Sequence, residues 1–220
     1  MAVIHRTTMK PTKLELLTPW LPTRPWYRGG PARPELVRAG GFRLDDPEGE
    51  VGIEFMVLND VSGGAATTYL VPLTYRGAAL DGAEHALLGT AEHGVLGRRW
   101  IYDGCHDPVL ITQLTAFVAG RVQAQAQNVS DTPDPTVTRA YTAPAAQGTA
   151  ARGTADSADD ADDAEGTTLP GPPGTTLRLH RVLQVAAPLP KDAIGHVSGV
   201  WDDPDGTQVR GIFVTVHPHT

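Results

Sequence analysis

The sequence predicts an α+β fold: an antiparallel sheet packed against one main amphipathic helix and short helices. Three observations carry that expectation. Short β-forming runs are separated by compact turn clusters, which favours strands paired as hairpins. One stretch, from Val109 to about Gln127, repeats apolar residues at three-to-four spacing. Strands do not alternate with helices in the βαβ manner, and 24 Gly with 19 Pro leave little room for long helices.

Taken in order, Ala2–Thr8 reads as an opening strand ended by Lys10-Pro11. Thr12 caps a helical turn over Thr12–Leu17, and Pro19, Pro22 and Pro25 oppose its continuation. Trp20, Trp26 and Tyr27 sit in this Pro-interrupted loop. Strands follow at Glu35–Phe42, Val51–Leu58 and Thr67–Tyr75, with turns at 45–49 and Asn59–Gly64. Pro72 marks the third of these as an edge strand or a bulge. Arg98–Tyr102 is a further strand. The main helix opens with Asp107 as N-cap and Pro108 at its first position, where the missing N–H costs nothing. Gly120 inside it weakens it by about 1 kcal/mol relative to alanine. Further strands are expected at Leu177–Val185, Val197–Trp201 and Val209–Val216, the last two joined by a hairpin loop over 202–206.

The net charge is −7, unevenly spread: Tyr141–Thr176 alone carries −5, from six carboxylates and Arg152. Three divisions follow: a domain over 1–141, a disordered low-complexity acidic linker over 142–176 with almost no apolar anchors, and C-terminal strands over 177–220. Outside the linker the chain is near neutral and its arginines are scattered, so no nucleic-acid partner is expected. One cysteine, Cys105, allows no internal disulfide. With no signal-peptide core and no apolar run of membrane length, the expected compartment is the cytoplasm, without membrane association.

The chemistry of the common phosphate-binding enzymes is missing. There is no GxxxxGK[ST], no GxGxxG and no GxSxG. His180-Arg181 is followed by Val182, not by the aspartate of a kinase catalytic loop. Glu84-His85 and Glu92-His93 do not form HExxH, and no cofactor or metal is expected. A Cys-His-Asp reading of Cys105, His106 and Asp107 fails because catalytic sets converge in space rather than along the chain. Glu54 and Asp103 are the non-linker acids that a two-carboxylate glycosidase mechanism would need. The aromatic residues Trp20, Trp26, Tyr27, Trp100 and Tyr102 admit two readings: core, or a surface that stacks on a partner or a sugar ring.

Three segments together resemble the N-terminal cap of actinobacterial maltokinases. Trp20-Leu-Pro-Thr-Arg-Pro-Trp26-Tyr27-Arg-Gly29 is similar to the WLPxQRWFxGK stretch that opens such caps, with Pro25 in place of the Arg, Tyr27 of the Phe and Gly30 of the Lys. Tyr69–Arg76 resembles the cap's Y-x-(V/L)-P-L strand and following arginine, and Tyr102–Pro108 resembles YDAxxDP before its last helix. The resemblance implies a curved, cystatin-like antiparallel sheet on helices. It also implies a cap that precedes a two-lobed kinase without carrying its ATP or metal residues. More faintly, Leu177–Leu183 resembles a strand of that kinase's N-terminal lobe, with Arg178 where the nucleotide-binding lysine belongs. On this reading 177–220 is a degenerate lobe fragment; otherwise its strands complete the cap's own sheet.

The expected function is therefore a non-catalytic, stand-alone maltokinase-type cap, an interaction or regulatory module in α-glucan or trehalose metabolism with a protein partner among its enzymes. Trp20, Trp26 and Tyr27 are the candidate contacts for a partner or a sugar. Two alternatives remain: a small-sugar binder for maltose or trehalose, and an enzyme of glucan metabolism or sugar phosphotransfer, which the absent motifs disfavour.

Overall fold

A computed structural model of the chain describes residues 8–143 and 162–219. The strand expected at 2–8 falls almost wholly outside the described residues, as do 144–161 of the acidic segment. In chain order the elements are β1 (Met9–Lys10), α1 (Lys13–Trp20), β2 (Leu36–Asp45), β3 (Gly52–Asp60), β4 (Thr67–Arg76), β5 (Leu87–His93), β6 (Gly97–Asp103), α2 (Pro108–Val118), β7 (Thr138–Tyr141), β8 (Gly166–Pro170), β9 (Thr175–His180), β10 (Gly195–Asp202) and β11 (Gln208–Pro218). The strands form one antiparallel sheet in the order β1-β5-β6-β4-β3-β2-β10-β11-β9-β8, with β7 on β10. The helices are few and short, so the architecture is α+β dominated by antiparallel sheet.

Local chemistry explains the turns. Between β2 and β3 the Asp46 carboxylate accepts the N–H groups of Glu48 (3.1 Å), Glu50 (3.0 Å) and Val51 (3.0 Å), an Asx-type closure. Between β10 and β11, Asp203 N–H donates to Thr207 O and Gly206 N–H to Asp203 O, both at 2.8 Å. β3 is buried on both faces. Ile53, Phe55 and Val57 enter the main core, while Met56 and Leu58 enter a second apolar cluster behind the sheet. This is why its sequence reads as a continuous apolar run rather than an alternation.

The main core stacks Phe42 on Phe55 (4.4 Å) and beside Phe213 (6.0 Å), with Trp201 next to Phe213 and Leu110, Leu114 and Phe117 of α2 against them. Residues from both ends of the chain are thus inseparable in one core.

The chain beyond β9 returns to the free edge of β4. Tyr69 pairs with Val182, Leu70 N–H donates to Arg181 O (2.9 Å), and Leu183 N–H donates to Thr68 O (2.9 Å). A hydrogen-bonded circuit therefore runs through β4, β3, β2, β10, β11 and β9, although β2 meets β10 only at Gly40↔Trp201. Pro72 makes no bulge, and the edge character expected of it is local, since β4 is an inner strand of the sheet. Pro72 faces Phe55 in an unbroken register. Because Leu70 N–H points to the outer edge, so would that of residue 72. Among the described residues no strand pairs with that edge there, since Arg181–Leu183 covers only 68–70 and β6 starts at Leu73.

Three other expectations change. The main helix ends at Val118 rather than near Gln127. Gly120, with φ +79°, is its stop: Gly120 N–H donates to Phe117 O and Arg121 N–H to Ala116 O, both at 2.9 Å, a Schellman closure that needs the left-handed residue. Beyond it Gln125 bridges to Arg43. Pro19 lies inside the last turn of α1, where it forgoes the N–H bond to Glu15 O, and a 3-10 turn over Leu21–Thr23 follows. The expected linker reaches Thr176, yet Gly166–Pro170 forms β8 on β9 and Leu169 enters the main core. A single well-placed leucine anchors a stretch whose composition alone predicts disorder.

Candidate functional site

The loop that follows α1 is built from the inside out. Trp26 is fully buried and Trp20 is 8% exposed. Their rings meet edge-on at 5.9 Å, and Trp26 also meets Tyr69 at 5.9 Å. Trp26 Nε1 donates to Asp162 Oδ2 (3.0 Å), and the Arg181 guanidinium lies 4.9 Å above its ring. Arg181 is itself fully buried. Its Nη2 donates to Asp103 Oδ2 (2.6 Å) and its Nε to Thr167 Oγ1 (2.7 Å), and Nη2 lies 3.8 Å from Asp162 Oδ1. Burial opposes the charge on Arg181, but Asp103, Cys105 and Asp162 outweigh it and raise its pKa. The two tryptophans therefore pin the loop to the sheet, with their rings buried.

Tyr27 differs. It stacks on Tyr69 (5.9 Å, 25° between rings), and its hydroxyl donates to Asp60 Oδ2 at 3.2 Å. Burial and the Asp60 carboxylate push its pKa up to about 12, so the phenol stays neutral. Asp60 also accepts N–H from Glu35 (3.1 Å) and Ser62 (3.0 Å), and Tyr69 Oη accepts from Arg28 N–H (2.9 Å). This frame holds the half-buried Tyr27 at the wall of an open groove of about 540 Å³, lined also by Pro19, Pro22, Pro31, Arg33 and Pro34. Gly29 completes the wall. A Cβ on it would fall 1.8 Å from Tyr27 Oη, so any other residue displaces the ring.

Of the three sequence-selected residues, the structure brings all into one aromatic cluster but presents only Tyr27 to the groove. Sequence reasoning missed Gly29, Pro31, Arg33 and Pro34. Its available signal was the crowding of Pro, Gly and Arg just after Tyr27.

The two acids considered for glycosidic chemistry lie in one register row, Glu54↔Leu73↔Asp103, but each is already engaged. Asp103 holds Arg181. Glu54 accepts from Lys13 Nζ (2.5 Å), Tyr75 Oη (2.6 Å) and Gln127 Nε2 (2.9 Å). Burial alone would raise the Glu54 pKa, but Lys13 and Tyr75 outweigh it and hold it below the usual carboxylate range. The lowered pKa of Glu54 is the opposite of what a general acid needs. Asp192, His217 and Thr215 align as carboxylate, imidazole and hydroxyl (2.8 and 2.9 Å), yet Thr215 is fully buried and cannot reach a substrate. No group of three or more His, Cys, Asp or Glu among the described residues can hold a metal ion. No helix among them is long and apolar enough to cross a membrane.

One ion pair joins two of the three motif segments. Arg76 donates to both oxygens of Asp107 (2.6 and 2.7 Å), and Asp107 Oδ1 accepts Val109 N–H (2.9 Å) at the start of α2. Residues 20–107, which contain all three motif segments up to Asp107, match the family described as the maltokinase N-terminal cap domain. A search of curated proteins returns no match.

Proposed function

We propose, from the premise that residues 20–107 form a maltokinase N-terminal cap, that this chain is a non-catalytic interaction module. It would contact an enzyme of α-glucan or trehalose metabolism through the loop from Trp20 to Pro34. The observation that carries this reading lies inside the matched segment: a rigid aromatic base holds the neutral Tyr27 ring on an open groove. Pre-organised aromatic walls favour binding because little freedom remains to be lost. The strands over 177–219 belong with this module in the proposal, since they share its core, and the cystatin-like likeness remains part of it. The engagement of Glu54 and Asp103 in ion pairs supports the non-catalytic character.

A pull-down from native lysate, with captured proteins identified, tests it. Wild type is expected to recover a glucan- or trehalose-pathway enzyme, and Tyr27→Ala to lose it. Recovery of no such enzyme, or transfer of labelled phosphate from ATP to maltose by the purified chain, would overturn the proposal. A second reading has one observation of its own: about 540 Å³ beside an aromatic ring also suits a small sugar. Calorimetric titration with maltose and trehalose decides it, and heat abolished by Tyr27→Ala would favour the sugar.

A further inference from the structure

The same groove has a chemical character that narrows its partner. Pro19, Pro22, Pro31 and Pro34 line it with apolar ring faces and offer no N–H. Added-strand recognition needs a row of main-chain donors and acceptors, and a proline-rich wall serves it poorly. The groove instead suits an inserted side chain, and an aromatic ring packs well against Tyr27 and proline faces.

Its surroundings are cationic. Residues 16–34 carry Arg24, Arg28 and Arg33 and no carboxylate, in a chain of net charge −7. Arg28 and Arg33 are exposed, and Arg24 lies 5.0 Å over the Trp20 ring. None of the three is in an ion pair with a described residue. Of the neighbouring acids, Asp60 already accepts three hydrogen bonds, and Glu35 follows Pro34 in the chain. At physiological salt, charges beyond about 8 Å are screened, so the exposed arginines act chiefly on a group that docks beside them.

We infer that the groove binds an acidic peptide segment of its partner, with an aromatic side chain seated between Tyr27 and the prolines and flanking carboxylates paired to Arg28 and Arg33. This deepens the proposed function and rests on it. A concave apolar slot with a charged rim fits a peptide better than a flat anionic bilayer.

The test is fluorescence anisotropy with the full chain and three labelled probes: a short peptide with a central Trp flanked by Asp and Glu, its Lys/Arg-flanked counterpart, and the acidic peptide with Ala for Trp. The acidic Trp peptide is expected to bind tightest, and more weakly as salt rises. Because both arginines are exposed, Arg28→Glu with Arg33→Glu preserves the circular dichroism spectrum. Reversing two exposed pairs weakens binding about tenfold. Equal binding of acidic and basic probes, no loss on charge reversal, or equally tight binding to phosphatidylserine vesicles would overturn the inference. A partner captured through Tyr27 but indifferent to the arginine reversal leaves the proposed function standing and removes this inference. Peptide binding without a captured pathway enzyme does the opposite.

Discussion

Arg181 shows what a buried charge does here. Its guanidinium spans Asp103 at the end of β6, Thr167 in β8 and the Trp26 ring, so one side chain ties three remote segments. Its replacement by methionine strands the Asp103 and Asp162 carboxylates away from water. Breaking a buried pair from one side costs about 3–5 kcal/mol, and urea unfolding should read a loss of that size. Replacing partners together (Arg181→Met with Asp103→Leu) is expected to recover part of it. Lys13 gives a pH-dependent case. The pKa of Glu54 is held low in the folded state, so its stabilisation is present above the unfolded value near 4.5 and is lost as pH falls through the lower folded value. Lys13→Met leaves burial unopposed by that ammonium. The stability gap between wild type and variant should be widest at neutral pH and shrink on acidification, as protonation relieves the uncompensated charge. A gap independent of pH would show that Lys13 acts by packing alone.

At the scale of elements, Asp107 performs two separable tasks. It caps α2 through Val109 N–H and pairs with Arg76 of β4. Burial alone would raise its pKa, but the Arg76 and backbone hydrogen bonds outweigh it and hold it below the usual range. Asp107→Asn keeps the cap and loses the charge pairing; Asp107→Ala loses both. The alanine variant should be the less stable by about 1 kcal/mol, the worth of an N-cap, measured by thermal or urea unfolding. The capping signature was fully legible in the sequence, because an N-cap depends on residues within one turn. The end of α2 was not. Gly120 reads as a tolerated interruption in an apolar repeat that runs on to Val122. In the structure Val122 packs on the core from a non-helical segment, so apolar spacing outlasted the helix.

Six of the described strands form one hydrogen-bonded circuit around a shared core. Phe42 of β2 lies between Phe55 and Phe213, and the Tyr69↔Val182 bridge closes the sheet. Tryptophans sit in both parts: Trp20, Trp26 and Trp100 before the acidic segment, Trp201 after it. Tryptophan fluorescence and far-ultraviolet circular dichroism should therefore report one coincident unfolding transition. Residues 1–143 alone should expose apolar surface and bind an apolar dye, and residues 162–220 added in trans should suppress that binding. Independent transitions would instead favour a separate lobe at the C-terminal end.

Much of this protein is local and so was open to reading from sequence: strands bounded by Asp- and Gly-containing turns, the Thr12 and Asp107 caps, and the aromatic loop within the segment that matches the maltokinase cap family. Each depends on residues a few positions apart, whose preferences act without the rest of the chain. The choice between core and surface at that loop depends instead on what covers each ring. Trp26 is buried because Arg181 and Asp162 lie against it, and Tyr27 is held at the groove because Asp60 and Tyr69 support it. These partners lie between 33 and 155 positions away. No local preference encodes such contacts; they exist once the sheet has closed, and they turn three similar aromatic residues into two buried anchors and one ring at the groove wall.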